Sequence, residues 1–178
     1  MSAKLVFLVG LMGVGGYVGH TMSKFDPTVF PYSKAQVRTM LADAKTVLPR
    51  RDGPGEIRIW GAGGSSKGVE LQMKYADWAP LLTCEAVITE VAANQSKVVP
   101  DCGGAQSDSA IERTQNQLRR PMFEEHIQAT LNKRAFNRSA VDMKEVATVS
   151  ANLGGMQREA LRRSDEASRM QAEYEANH

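Results

Sequence analysis

The chain is short of aromatic residues, of cysteine and of any decisive excess of one charge, and each shortage removes a class of function. Phe, Trp and Tyr make up 6% of its 178 residues, too few for a platform on which nucleic-acid bases stack. Lys and Arg number 22 against 20 Asp and Glu, a formal charge of +2. No concentrated basic face therefore calls for a nucleic-acid partner. The three histidines are His20, His126 and His178, so no His-x-x-x-His face exists for zinc. The one crowding of His with carboxylates, Glu124, Glu125 and His126, reads as a solvated helix face rather than a metal site. Cys-x-x-Cys is absent as well, since Cys84 and Cys102 are the only cysteines, and nothing marks them as a redox pair.

Cofactor loops are missing too. After the apolar run Leu5 to Val9, Gly13-x-Gly15 would need a third glycine where Val18 stands, so the dinucleotide fingerprint is broken. The loop from Gly61 to Gly68 has Ser66 before Lys67 and Gly68 after it. That order breaks a phosphate-binding P-loop and leaves a flexible hairpin turn. No cofactor is expected. Asp77, Glu85 and Glu90 are the carboxylates near the predicted sheet, but no nucleophile and base can be paired by spacing.

What the sequence does contain starts with a stretch from Leu5 to Ser23 without Asp, Glu, Lys or Arg. As a helix it spans roughly 28 Å, about the hydrocarbon thickness of a bilayer. Lys4 supplies a positive flank that would stay in the cytoplasm, so the segment reads as an uncleaved signal anchor, with Leu5 to Met22 in the membrane. For a bacterial source this places the protein in the inner membrane, single-pass, with its body on the periplasmic side. The alternative is a secreted or periplasmic protein released by cleavage near Gly15 and Gly16. Gly15-x-x-x-Gly19 would let two such helices approach closely.

Beyond the anchor, Lys24 to Pro31 reads as an extended connector because Pro27 and Pro31 bar a helix. Ser33 and Gln36 form a capping box, and Val37, Met40, Leu41, Ala44 and Leu48 recur at helical spacing, predicting four turns ended by Pro49. Period-2 alternation then takes over. Ile57 and Ile59 form one strand, and Val69, Leu71, Met73 and Tyr75 a second. Leu82 to Val91, apolar on both parities, is a central third, and Lys97 to Asp101, carrying Pro100, is an edge. Short connections make a four-stranded antiparallel meander the simplest topology. With the turn between the last two strands centred near Ala93, Cys84 and Cys102 stand directly opposite each other. An exported domain would join them as a structural disulfide worth about 3 kcal/mol.

Helix returns from Asp108 to about Lys133, capped at Ser109 and bent near Arg120 by Pro121. From Asn137 the pattern weakens. Val146, Val149 and Leu153 suit a short helix broken by Gly154 and Gly155, and the rest reads as a solvated tail. In it Met156, Ala160, Ala167, Met170 and Tyr174 fall on a heptad seam interrupted by Arg163. The domain plan is thus an anchor over 1–24, an α+β domain over 25–136 and a helical, partly solvated tail over 137–178. The middle unit is a two-layer domain in which an N-terminal and a long kinked C-terminal helix cover the meander.

From Thr28 to Phe136 this order of elements resembles the helix-grip arrangement of the START-like (polyketide cyclase or SRPBCC) superfamily. Members usually place six strands between the helices, and four are readable here. The resemblance implies a cavity between the sheet and the closing helix that accepts an apolar ligand. Val69, Leu71, Met73, Tyr75 and Ile88 would line it from the sheet, and Leu118 and Met122 from the helix. Cys84, Ala86 and Ile111 would join the same core. The function expected is therefore a membrane-anchored extracytoplasmic binding domain for an apolar or lipid-like ligand. A structural or interaction protein of the cell envelope without a small-molecule ligand is the alternative, and an enzyme comes last. Composition leaves the oligomeric state open.

Overall fold

A computed structural model of the chain describes residues 26–103 and 108–176. Along them run β1 (Val29–Phe30), α1 (Lys34–Ala42), β2 (Lys45–Pro49), β3 (Glu56–Gly64), β4 (Gly68–Lys74), β5 (Leu81–Ala92), β6 (Gln95–Asp101), α2 (Ala110–Leu131) and α3 (Arg138–Ala176). The expected membrane segment over 1–24, with Gly15 and Gly19, lies outside the described residues. Among those described, no helix is long and apolar enough to cross a membrane.

The protein is α+β, with one antiparallel sheet in the order β1-β6-β5-β4-β3-β2. The meander is present, but the sheet has six strands where four were expected, and both extra strands lie at its edges. β1 is two residues of the proline-flanked connector, Val29 and Phe30, paired with Lys97 and Ser96 of β6. It is too short to show alternation in a sequence. β2 takes the second half of the predicted helix, pairing Lys45 to Pro49 with Trp60 to Glu56.

The reason α1 stops early is packing. A Cβ at Gly61 would lie 2.4 Å from the Leu41 carbonyl oxygen, so the last turn of α1 presses on the β3 backbone where only glycine leaves room. There the Gly61 N–H donates to the Ala44 carbonyl at 3.2 Å. The chain turns into β2, where Thr46 and Val47 suit an extended backbone. The start of α1 is as predicted, with the capping box of Ser33 and Gln36 closed in both directions.

In β4 and β5, Leu71 pairs with Cys84 and Val69 with Ala86. Their inward faces meet Phe123, Ile127 and Leu131 of α2, with Phe30, Val37 and Leu41 completing the core. A Cβ at Gly68 would lie 1.8 Å from the Ala86 carbonyl oxygen, so this glycine permits the strand pair itself. Pro100, expected at an edge, lies on β6 beyond the part that β1 covers. Cys84 and Cys102 are joined as a disulfide with their Cα atoms 4.1 Å apart. The β5–β6 register sets Glu85 opposite Asp101, symmetric about Ala93, while the turn itself pairs Ala92 with Gln95, and an irregularity between Glu90 and Ala92 makes up the difference of one residue.

Pro121 sits inside α2 without ending it. The tail is not broken at Gly154 and Gly155, because α3 continues through them for 39 residues. It runs back along α2, with Lys144 bonded to Glu124 at 2.8 Å and Asn152 to Gln117 at 2.9 Å. Gly155 rests against Ala110. At the far end Glu159 accepts from the Ser109 hydroxyl and from the first backbone N–H groups of α2 at Ala110 and Ile111. Those donors, the Ser109 hydroxyl foremost, hold its carboxyl at about 2.

Candidate functional site: an apolar cleft beside Met122

Burial along α2 is uneven, and the unevenness makes the site. At its C-terminal end Phe123, Ile127 and Leu131 are sealed beneath the sheet's inward face. Toward its N-terminal half the β4–β5 hairpin and the first turns of α3 leave a cleft of about 410 Å³, within the range of small-molecule pockets. Met73, Tyr75 and Leu82 line it from the sheet, and Leu118 and Met122 from α2. Gln115, Arg119, Arg138 and Glu145 complete the lining.

These side chains are positioned by local periodicity. Gln115, Leu118, Arg119 and Met122 fall three and four apart, so they share one face of α2. Met73 and Tyr75 are two apart along β4 and its exit, so both point to the inward side. Arg138, one of the first residues of α3, is fixed by three groups. Its Nη1 lies 2.8 Å from the Met122 sulfur, its Nε 2.9 Å from the Asp142 carboxylate and its Nη2 3.9 Å from Glu145. Burial raises the Glu145 carboxyl above its usual range, opposed by Arg138 and reinforced by Asp142. Arg119 lines the same cleft with no carboxylate partner among the described residues.

Tyr75 joins this cleft to a second one. Burial raises its phenol, and hydrogen bonding with Asp52 adds to the shift. The Arg50 guanidinium stacks 5.3 Å from the Tyr75 ring and 5.7 Å from that of Trp78. Arg50, Glu56, Arg58, Asp77 and Trp78 line the neighbouring cleft of about 440 Å³. It is slightly larger, but charged groups dominate its walls, and an apolar ligand gains nothing by entering it.

Of the residues predicted to line a cavity, the structure brings Met73, Tyr75, Leu118 and Met122 together at the cleft. Val69, Leu71 and Ile88 sit instead in the solid core, each at most 3% exposed. Cys84 and Ala86 are buried there too, whereas Ile111 is half-buried. Leu82, Gln115, Arg119, Arg138 and Glu145 were missed. Leu82 belongs to a run apolar on both parities, which hides its face, and Arg138 and Glu145 lie in a stretch whose weak pattern concealed the docking of α3. Glu125 and His126, read as part of a solvated face, are buried. Glu125 is bonded by Arg134 and by the Asn137 N–H, and although burial opposes the shift its carboxyl lies below the usual range. His126 meets Thr46 at 2.8 Å, and burial lowers its imidazole to about 4.

Among the described residues no Ser, Thr, Cys or His lines the cleft, an open groove with apolar walls and charge at its rim. No family model, curated protein or solved structure matches this chain.

Proposed function

We propose that the protein is a membrane-anchored extracytoplasmic binding domain for an apolar or lipid-like ligand, and that the ligand occupies the cleft beside Met122. The observation that carries this reading is the shape of that cleft. Two thioethers, two leucines and a phenol form its apolar walls, beneath the helix that closes the domain. Met side chains adapt to irregular apolar partners, and Arg119 at the rim suits a ligand with an anionic end.

The START-like resemblance enters here as part of the same proposal. The succession of β1, α1, five strands and α2, with β1 beside the last strand, supports it. Export is supported by the uncharged run from Leu5 to Ser23 and by the Cys84–Cys102 bridge, which an oxidising compartment preserves.

The test is titration of the purified protein with a fluorescent fatty acid. Saturable one-to-one binding that Leu118→Trp abolishes by filling the cleft, with the fold intact by circular dichroism, supports the reading. Binding indifferent to that substitution overturns it. Membrane attachment and side are tested by fractionating a tagged chain and labelling its thiols before and after reduction. Freely soluble full-length protein with two reactive thiols refutes the export assignment.

A further inference from the structure

The mouth of the cleft beside Met122 carries more positive charge than its own carboxylates neutralise. Arg119 comes from α2, Arg138 from the start of α3 and Arg51 from the turn after β2, while Asp142 and Glu145 of α3 are the acids among them. Asp142 is shared, because Arg51 bonds it from one side and the Arg138 Nε at 2.9 Å from the other. Three guanidiniums thus meet two carboxylates, and Arg119 is the one left without a carboxylate. An amphiphile with one anionic head supplies the missing charge and lays its apolar body against Leu118 and Met122.

Glu145 is the weakly held member of this cluster. It is half-buried, the nearest guanidinium nitrogen stands 3.9 Å away, beyond hydrogen-bonding reach, and no donor among the described residues bonds it. Burial therefore raises its carboxyl, opposed by Arg138, with Asp142 reinforcing the shift and Arg51 opposing it. The other groups facing it are the Arg119 guanidinium from α2 and, from the sheet, the Tyr75 phenol, which burial raises and which stays neutral wherever a carboxyl titrates. An anion held by Arg119 in the same cleft repels the ionised Glu145 carboxylate, and a proton on Glu145 removes that repulsion.

We propose that the ligand is an amphiphile with one anionic head held by Arg119, and that Glu145 sets its affinity by protonation, with binding tighter in mild acid and looser as pH rises. Both features rest on the ligand cleft proposed above, and neither is required by it.

The test compares two fluorescent probes on the purified full chain, anilinonaphthalene sulfonate, which is anionic throughout, and its uncharged counterpart phenylnaphthylamine. The sulfonate is expected to bind about tenfold more tightly than the amine, with Arg119→Gln removing the difference and Leu118→Trp removing binding of both. From about pH 8 down to about pH 5.5 the sulfonate's affinity rises about fivefold and that of the amine stays constant. Glu145→Gln holds the sulfonate at its acid affinity throughout, with far-ultraviolet dichroism unchanged. Equal affinity for the two probes, or a preference that survives Arg119→Gln, overturns the anionic head. An affinity independent of pH, or a pH dependence that Glu145→Gln leaves in place, overturns the role of Glu145. In those cases the amine still binds and Leu118→Trp still blocks it, so the ligand cleft stands. If neither probe binds, the cleft and its charge preference fall together.

Discussion

Two stretches of one interface, both formed by α2 against the same sheet, have opposite character. At the closed stretch Leu71 and Phe123 are 0% exposed within one core cluster, while at the open stretch Leu118 is half-buried beside the cleft. The apolar chemistry is similar. What differs is the third layer, because α1 and β1 fill the closed stretch and only the charged start of α3 borders the open one. Apolar residues are thus fully packed where α1 and β1 add to the sheet and α2, and left partly exposed where only the charged start of α3 does.

The sharpest way to break this comparison is a matched pair of truncations. Leu71→Ala should cost about 2–5 kcal/mol in urea unfolding, and Leu118→Ala under about 1 kcal/mol, since one opens a void and the other widens a space already present. Equal losses would mean that the cleft is as tightly packed as the core. Next in size is the bridge behind the closed stretch. Cys84→Ser with Cys102→Ser should lower stability by about 3 kcal/mol while fatty-acid binding at saturating stability is retained, measured by denaturation and titration of the same samples.

Acid separates the two stretches further. His126 is held at about 4 against an ordinary 6.5, so the unfolded chain binds a proton that the folded one refuses. Stability from this group is complete above about 6.5 and falls as pH drops from there to about 4, by roughly 3 kcal/mol in all. His126→Gln should flatten that limb in pH-dependent urea titrations. A slope unchanged by the substitution would place the acid sensitivity elsewhere. The smallest effect belongs to the open stretch, where Glu145→Gln should leave stability nearly unchanged. Removing its negative charge should tighten a carboxylate probe about fivefold at neutral pH, read by fluorescence titration.

Local signals made the centre of the fold legible and left its margins obscure. The capping box at Ser33, the alternation of Val69, Leu71 and Met73, and the spacing of Cys84 and Cys102 about Ala93 are short-range patterns, and each appears in the structure. The sequence pattern predicts helix over the strand Lys45–Pro49 because Ala44 and Leu48 continue a helical spacing by coincidence. What decides between the two is the approach of α1 to Gly61, a contact between positions far apart in the chain. Half of the cleft was legible for the same reason. Met73, Tyr75, Leu118 and Met122 lie on faces that periodicity defines, whereas Arg138 and Glu145 enter only through the docking of α3. Gly154 and Gly155 suggested a break, and the helix passes through them because α2 supports it from one side.

The clasp of Glu159 on the start of α2 also acts as a rotational setting. Each residue added to a helix turns everything after it by about 100°, and Glu159 pins the phase of α3 just before its free length begins. The azimuth at which Met170 and Tyr174 face outward is therefore indexed to the body of the domain. One residue inserted after Glu159 would swing that whole edge by more than a quarter of a revolution, breaking the ties of Arg163 to Glu159 and Ser109 while leaving the grip of Glu159 on the start of α2 in place.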